Sequence, residues 1–328
     1  MDSTDLNPFW EIKSEESFER LALDTFNFQY ENNSVYRSYC DLINRSASDI
    51  MHSENIPFLP VSFFKSMSVI SFKGDVIKEF SSSTTTSSTA SKHFIRDLND
   101  YKLSFRNCFE RFYGSIEDCV VLALLPSYAD REGSSLTYMV SDLISKSNKP
   151  DSGFYLNEWD RLEEKILELE ERGQKTLLIG VSFALLDLIE KHKFQLKNTI
   201  VMETGGMKGR RKELTRSELH QKLSEGFGVK KIHSEYGMTE LLSQAYSKGN
   251  GRFSCPPWMR VSVRESEDPF QNLGFEKTGG LNIIDLANRD SCSFIATQDL
   301  GKTFSDGTFE VLGRFDHSEV RGCNLMVF

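Results

Sequence analysis

Three short apolar runs set apart by amphipathic stretches constrain this chain most. Val120-Val121-Leu122-Ala123-Leu124-Leu125 stops at Pro126, and Thr176-Leu177-Leu178-Ile179-Gly180 and Thr199-Ile200-Val201-Met202 follow. Each run is too short for a helix and is apolar at every position or nearly so, the pattern of a strand buried on both faces. Helical periodicity fills the gaps over Leu136 to Ser145, Trp159 to Arg172, Ala184 to His192 and Leu214 to Phe227. In the second of these, Leu162, Ile166 and Leu169 share one side. Strands alternating with helices predict an α/β fold with a parallel sheet covered on both faces, whose ligands bind beyond the carboxyl ends of the strands.

The flanks read differently. Up to about residue 90 the chain reads mainly as helices. Phe18, Leu21, Ala22, Thr25 and Phe26 are helically spaced behind Ser14-Glu15-Glu16, and a second helix is expected over Val35 to Asn44. The prolines of Ile56-Pro57-Phe58-Leu59-Pro60 exclude a regular helix there, and Val69-Ile70-Ser71-Phe72 is strand-like. Beyond about 250, Arg260 to Val263, Gly280 to Asp285, Cys292 to Thr297 and Thr308 to Leu312 are short strand candidates between turns. They predict a small β-rich subdomain, antiparallel or barrel-like. The expected divisions are 1–80, a helical region packed on the core; 81–250, the α/β core; and 251–328, the β-rich subdomain with a mobile tail.

Charge narrows the partners. With 39 Lys and Arg against 48 Asp and Glu, the net charge of −9 disfavours nucleic acid, which needs a basic footprint; Lys208 to Lys212 and Lys230-Lys231 are too short to make one. No apolar run reaches the roughly 20 residues of a membrane span. The acidic start Met1-Asp2-Ser3-Thr4-Asp5 does not resemble an export signal, so a cytoplasmic location is expected. The six cysteines (40, 108, 119, 255, 292, 323) are scattered without zinc-like spacing and read as reduced thiols.

Five stretches carry candidate chemistry. Ser81 to Ser91 is almost entirely Ser and Thr and runs into Lys92-His93. Its hydroxyls can bond phosphate oxygens and Lys92 can neutralise them; the plainer alternative is a polar linker. Glu203-Thr204-Gly205-Gly206-Met207-Lys208-Gly209-Arg210 follows a strand candidate, where glycines allow close approach to a flat ligand or simply serve a turn. In Ser234-Glu235-Tyr236-Gly237-Met238-Thr239-Glu240 an aromatic can stack on a base, Thr239 can donate to a phosphate and Glu240 can hold Mg2+. A turn with a capped helix start is the alternative. Asp299 can accept from ribose hydroxyls and Arg314 can fork onto phosphate or ribose oxygens, or both are surface residues. Cys323 lies near Arg321 and His317, which would favour its thiolate; a buried structural cysteine is the alternative.

The order of these stretches resembles the adenylate-forming superfamily of acyl-CoA synthetases, luciferases and peptide-synthetase adenylation domains. Locally, Ile56-Pro57-x-Leu59-Pro60, Phe64-Lys65, Ser91-Lys92-His93, Glu203-Thr204-Gly205-Gly206-x-Lys208-Gly209-Arg210 and a Gly-Cys near the end are similar to the acyl-protein synthetases of LuxE type. The resemblance covers about residues 56 to 325.

It implies ATP and Mg2+ as cofactors and a carboxylic, expectedly fatty, acid as substrate. Ser83, Thr84, Thr85 and Thr86 would line the phosphates. Tyr236, with Gly237, would contact adenine opposite Gly205 and Gly206. Thr239 would sit on the α-phosphate, Glu240 on Mg2+, and Asp299 on the ribose with Arg314 nearby. Cys323, Lys92 and Glu240 would be the catalytic group, with Cys323 taking the acyl group for delivery to an acyl-reductase or acyl-carrier partner. Two departures from the superfamily are expected: a phosphate loop without its usual glycines, and, as in the acyl-protein synthetase group, no small domain with a catalytic lysine after Gly-Arg-x-Asp. Two further functions stay open: a ligase with an external thiol acceptor such as coenzyme A or a carrier protein, and a catalytically weak scaffold subunit.

Overall fold

The structure, a computed structural model, describes residues 3, 6–82, 89–126, 132–156, 158–205 and 214–315. Helix α1 (Glu15–Asn32) starts at a capping box in which Ser14 accepts from Ser17 N, and it buries Phe18, Leu21, Ala22, Thr25 and Phe26 as the spacing predicts. Helix α2 (Ser34–Leu42) follows directly. From there to residue 77 the described chain holds only single turns, the two-residue strand β1 (Leu59–Pro60) and the short helix α3 (Phe63–Ser66). The expectation of a mainly helical first ninety residues therefore fails after α2. Val69 to Phe72 is not a strand: Ser71 N donates to Asp290 O at 2.8 Å and Ser291 Oγ donates to Val69 O at 2.8 Å, so a loop satisfies its backbone in place of a ladder.

Strands β2 (Lys78–Ser81) and β3 (Lys92–Ile95) pair as an antiparallel hairpin whose last register pair is Ser81 with Lys92. Of the Ser/Thr run, Ser81 ends the first of these strands and 83–88 lie outside the described residues. Helix α4 (Leu98–Tyr113) comes next, capped by Asp97 and ended at Gly114. Neither the hairpin nor α4 was expected, although Tyr101, Phe105, Cys108 and Phe109 carry the helical period.

The α/β core then runs β4 (Val120–Leu124), α5 (Ser135–Ser147), β5 (Gly153–Phe154), α6 (Trp159–Glu171), β6 (Thr176–Val181), α7 (Ser182–Lys191), β7 (Thr199–Thr204), α8 (Arg216–Phe227), β8 (His233–Tyr236) and β9 (Ala245–Ser247). The sheet order is β5-β4-β6-β7-β8-β9, parallel except that β9 runs antiparallel to β8. Every residue of β4 and β6 is buried, as a strand covered on both faces requires.

The second sheet is formed by β10 (Arg252–Phe253), β11 (Met259–Arg264), β12 (Asn272–Leu273), β13 (Gly279–Asp285), β14 (Phe294–Thr303) and β15 (Phe309–Arg314). Its order is β10-β15-β14-β13-β11-β12, all antiparallel neighbours, and β1 joins β14 in parallel. Among the described residues this sheet is an open path, so the barrel-like alternative gives way to an antiparallel sheet. β14 is longer than expected and carries Asp299 within the ladder. The two sheets meet where Tyr246 bridges to Ser254.

The N-terminal helices do not stand apart. Gln29 Nε2 donates to Asn288 O (3.1 Å) and Arg289 O (2.9 Å), its Oε1 accepts from Ser293 N (2.9 Å), and Asn33 Nδ2 donates to Ser291 O (3.0 Å). Buried apolar side chains from α1, both sheets and α4 to α8 form one continuous core. No described helix is long and apolar enough to cross a membrane.

Candidate nucleotide site

The site forms where the carboxyl ends of β7 and β8 face the second sheet. Tyr236, the last residue of β8, donates its hydroxyl to Asp299 Oδ2 at 2.7 Å. Asp299 opposes Arg314 in the β14–β15 register, and Arg314 Nε donates to Asp299 Oδ1 at 3.1 Å. Three residues far apart in sequence therefore share one carboxylate. Burial and the Asp299 charge push the Tyr236 hydroxyl well above its ordinary range, which keeps it a donor. The Tyr236 ring packs edge-on to Phe253 (5.9 Å) and Phe309 (5.5 Å). Asp299 and Tyr236 are buried whereas the Arg314 side chain is 73% exposed, so the charge of Arg314 is available to a ligand at the rim.

The third strand of the site comes from the hairpin. His93 faces inward, its Nδ1 2.8 Å from Thr239 O and its Nε2 2.9 Å from Asn288 Oδ1. Asn288 Nδ2 donates to Glu240 O at 2.8 Å and to Cys292 O at 2.8 Å. His93 and Asn288 thus fix the backbone that carries Thr239 and Glu240. Burial lowers His93 to about 4, against the pull of its two bonds. Phe64 packs edge-on to the His93 ring at 5.9 Å, which places Lys65 near Glu240. Glu240 is buried, and burial raises its carboxyl above the usual range, opposed by a hydrogen bond from Ser91 and by the charges of Arg314 and Lys65.

Gly205 ends β7 at φ +67°, a conformation that favours glycine, and its carbonyl accepts from Ser182 Oγ at 2.6 Å. Glu203 is buried below it, bonded by Arg216 Nη1 at 2.5 Å with His220 Nε2 at 3.4 Å. Burial would raise the Glu203 carboxyl, but His220 and Arg216 outweigh it and hold it low, so it stays ionised as an anchor.

The structure thus brings Gly205, Tyr236, Gly237, Thr239, Glu240, Asp299 and Arg314 to one region. Lys92 differs from His93 as alternate strand residues do: it points outward, half exposed, 3.2 Å from Glu79 Oε1. Ser83, Thr84, Thr85, Thr86, Gly206 and Cys323 lie outside the described residues. The roles of His93, Lys65 and Asn288 were not read from sequence. His93 and Lys65 stand inside quoted motifs, but Asn288 comes from the loop after β13 and carries no local signal.

The five described cysteines are free thiols. Burial pushes Cys40 and Cys255 up to about 12 and Cys119 to about 11, and drives Cys108 and Cys292 higher, so none is a ready thiolate at neutral pH. Among the described residues no three His, Cys, Asp or Glu side chains form a metal cage. One carboxylate is a usual protein contribution to Mg2+, and the buried Glu240 carboxyl would be the group to hold it here.

Residues 2–106 match the family model described as acyl-protein synthetase, LuxE. No curated protein matches the chain. Solved structures do. ATP-bound MatB from Rhodopseudomonas palustris is similar with a TM-score of 0.55 at 18% identity, over 74% of this chain and 49% of MatB. An open conformation of 2-hydroxyisobutyryl-CoA ligase in complex with 2-HIB-AMP and CoA is similar with a TM-score of 0.67 at 12% identity, over 97% of this chain and 76% of the ligase. The long-chain-fatty-acid-CoA ligase FadD1 from Archaeoglobus fulgidus is similar with a TM-score of 0.51 at 14% identity, over 73% and 52%. The matched part of this chain spans about half the length of MatB. The fold is that of the adenylate-forming ligases.

Proposed function

We propose that this chain, with an adenylate-forming fold and an N-terminal segment of acyl-protein synthetase type, activates a carboxylic acid with ATP and transfers the acyl group to a thiol, its own Cys323. The observation that carries the reading is the shared carboxylate: Tyr236 and Arg314 both donate to Asp299. Each Asp299 oxygen accepts one protein bond and keeps a lone pair for a ribose hydroxyl. Thr239 and Glu240 sit on the adjoining segment, next to the hairpin whose connection is the Ser/Thr run.

In the first step a carboxylate oxygen of the acid attacks the α-phosphorus of ATP. A P–O bond forms, the bond to the β-phosphate bridging oxygen breaks, and pyrophosphate leaves. The chain's part is to orient and to place donors and cations where charge gathers, with Arg314 and Lys65 as the described cations. Glu240 would hold Mg2+, which supplies charge neutralisation on the phosphates when bound. In the second step the Cys323 thiolate attacks the acyl carbonyl, the C–O bond to AMP breaks, and a thioester remains. The thiol proton passes to solvent.

Two points support Cys323. The described cysteines are all buried or raised out of the thiolate range. Cys323 lies eight residues beyond Phe315, and a chain spans at most about 3.6 Å per residue, about 29 Å here. Phe315 is itself tied to the site, its N–H donating to Gln298 O at 2.8 Å.

A pyrophosphate-exchange screen over acids of graded length, aromatic acids included, tests the first step; exchange with none of them overturns the reading. Cys323→Ser is expected to leave exchange intact and abolish covalent labelling by radioactive acid. Labelling that survives removes Cys323 from the mechanism. A second reading, an external thiol acceptor, is favoured by the likeness to CoA ligases; wild type that turns over only with added coenzyme A or carrier protein selects it.

A further inference from the structure

Glu235 immediately precedes Tyr236, and Thr204 immediately precedes Gly205. The two are register partners in the parallel β7–β8 pair, so their side chains share a face, and Thr204 Oγ1 donates to Glu235 Oε2. The other carboxyl oxygen lies over Gly237: a β-carbon built there would sit 2.6 Å from Glu235 Oε1 and 3.5 Å from Gln244 Cγ. A side chain at 237 would displace that oxygen. Glu235 Oε1 and the Gln244 side chain thus both lie against Gly237. Both are buried, and Gln244 Oε1 is a buried acceptor with no hydrogen-bond partner. A buried unpaired acceptor is costly unless a donor faces it, and a carboxylate cannot donate.

We propose, resting on the nucleotide reading above, that Glu235 is a positioning residue of the nucleotide site: as a neutral acid it accepts from Thr204, donates to Gln244 Oε1, and so holds the Gly205 wall at a fixed spacing from Tyr236 and Gly237. The chain of contacts is short. Ser182 pins the Gly205 carbonyl, Thr204 ties that strand end to Glu235, and Glu235 covers Gly237 beside the ring that donates to Asp299.

The surroundings favour the neutral acid. Burial, with the Glu203 charge behind it, pushes Glu235 up to about 7, while the Thr204 bond pulls the other way. Facing it are Tyr101 and Cys108 from α4 and Tyr246 from β9, all raised and neutral, and the charge of Asp285 acts on Tyr101 and Cys108 as well. The charge of Glu203 acts on it, and it is negative. The sign follows. Glu235 is protonated below about 7 and ionises as pH rises through it, so the tie to Gln244, and with it nucleotide affinity, is lost on the alkaline side.

The test is calorimetric binding of ATP, without acid substrate, to the full chain and to Glu235→Gln between pH 6 and 8.5. Glutamine accepts from Thr204 and donates to Gln244 at every pH. The ratio of wild-type to variant Kd cancels the titration of ATP itself. If only the protonated form is competent, that ratio rises by up to about thirtyfold over this range. Thr204→Val, which removes the bond that favours the ion, moves the midpoint to higher pH. A ratio that stays flat while both proteins bind ATP overturns the proposal and leaves the nucleotide reading standing. Wild type that binds no ATP at any pH overturns both. Independently, the 13C carboxyl resonance assigned by Glu235→Gln should titrate near neutrality; a carboxylate already ionised at pH 6, with Gln244 turning its amide N–H toward it, overturns the proposal.

Discussion

Asp299 concentrates the site's electrostatics in one side chain. Removing it in Asp299→Ala leaves the Tyr236 hydroxyl buried without its acceptor and takes from Arg314 the carboxylate that it pairs with. Hydrogen bonds to a charged group are worth about 1.5–3 kcal/mol each, so KM for ATP in pyrophosphate exchange is expected to rise by roughly 10- to 100-fold. Unfolding midpoints should fall less, because Arg314 is largely exposed and its half of the network is screened. Unchanged KM would remove the ribose role. Asp299 was legible in sequence through its place in the motif order. Lys92 was legible only as a cation beside a hydroxyl-rich run; its alternation with His93, and hence its pairing with Glu79 on the outer side, depends on the strand register, which no local composition signals.

At the scale of elements, helix α8 is what keeps Glu203 charged under Gly205. Its N-terminus is a capping box, Thr215 with Glu218, and the first residue after the cap is Arg216, the partner of Glu203. Loss of an N-cap threonine costs about 1 kcal/mol. Thr215→Ala is therefore expected to lower the unfolding free energy by that amount, read as a fall of the denaturant midpoint at unchanged m. It should also loosen the Arg216–Glu203 pair, seen as a pKa of Glu203 that climbs back toward its ordinary value. A variant with full stability and an unmoved Glu203 would show that α8 is held by packing alone. The α/β elements were readable because short continuous apolar runs and stripes of period 3.6 encode them locally. Helix α4 carried the same signal and was passed over. The β2–β3 hairpin was obscured by its long Ser/Thr connection, which reads as a linker when its flanks are not paired.

Across the whole molecule, the N-terminal helices and the second sheet act as one body. Gln29 makes four side-chain bonds, to Asn288 O, Arg289 O, Ser293 Oγ and Ser293 N, and Asn288 in turn braces His93 and Glu240. Leaving buried polar groups unpaired costs about 1–3 kcal/mol each. Gln29→Ala is accordingly expected to destabilise by at least about 2 kcal/mol and to weaken ATP binding together with it. Breaking the exposed Arg260–Glu15 pair, also between α1 and the second sheet, should cost about 1 kcal/mol or less and leave ATP binding alone. Gln29→Ala with unaltered ATP affinity would separate the N-terminal helices from the site.

Sequence by itself determined the strand–helix alternation, the acidic surface and the ordered set Gly205, Tyr236, Thr239, Glu240, Asp299 and Arg314, because periodicity and motif order are local or linear properties of a chain. Only the tertiary structure decided that Tyr236 and Arg314 share the carboxylate of Asp299, that Asn288 props Glu240, and that Thr204 donates to Glu235. Those pairings join residues brought together by sheet register and by the meeting of two sheets. Their energies arise from burial, which takes away the water that would otherwise satisfy each group separately.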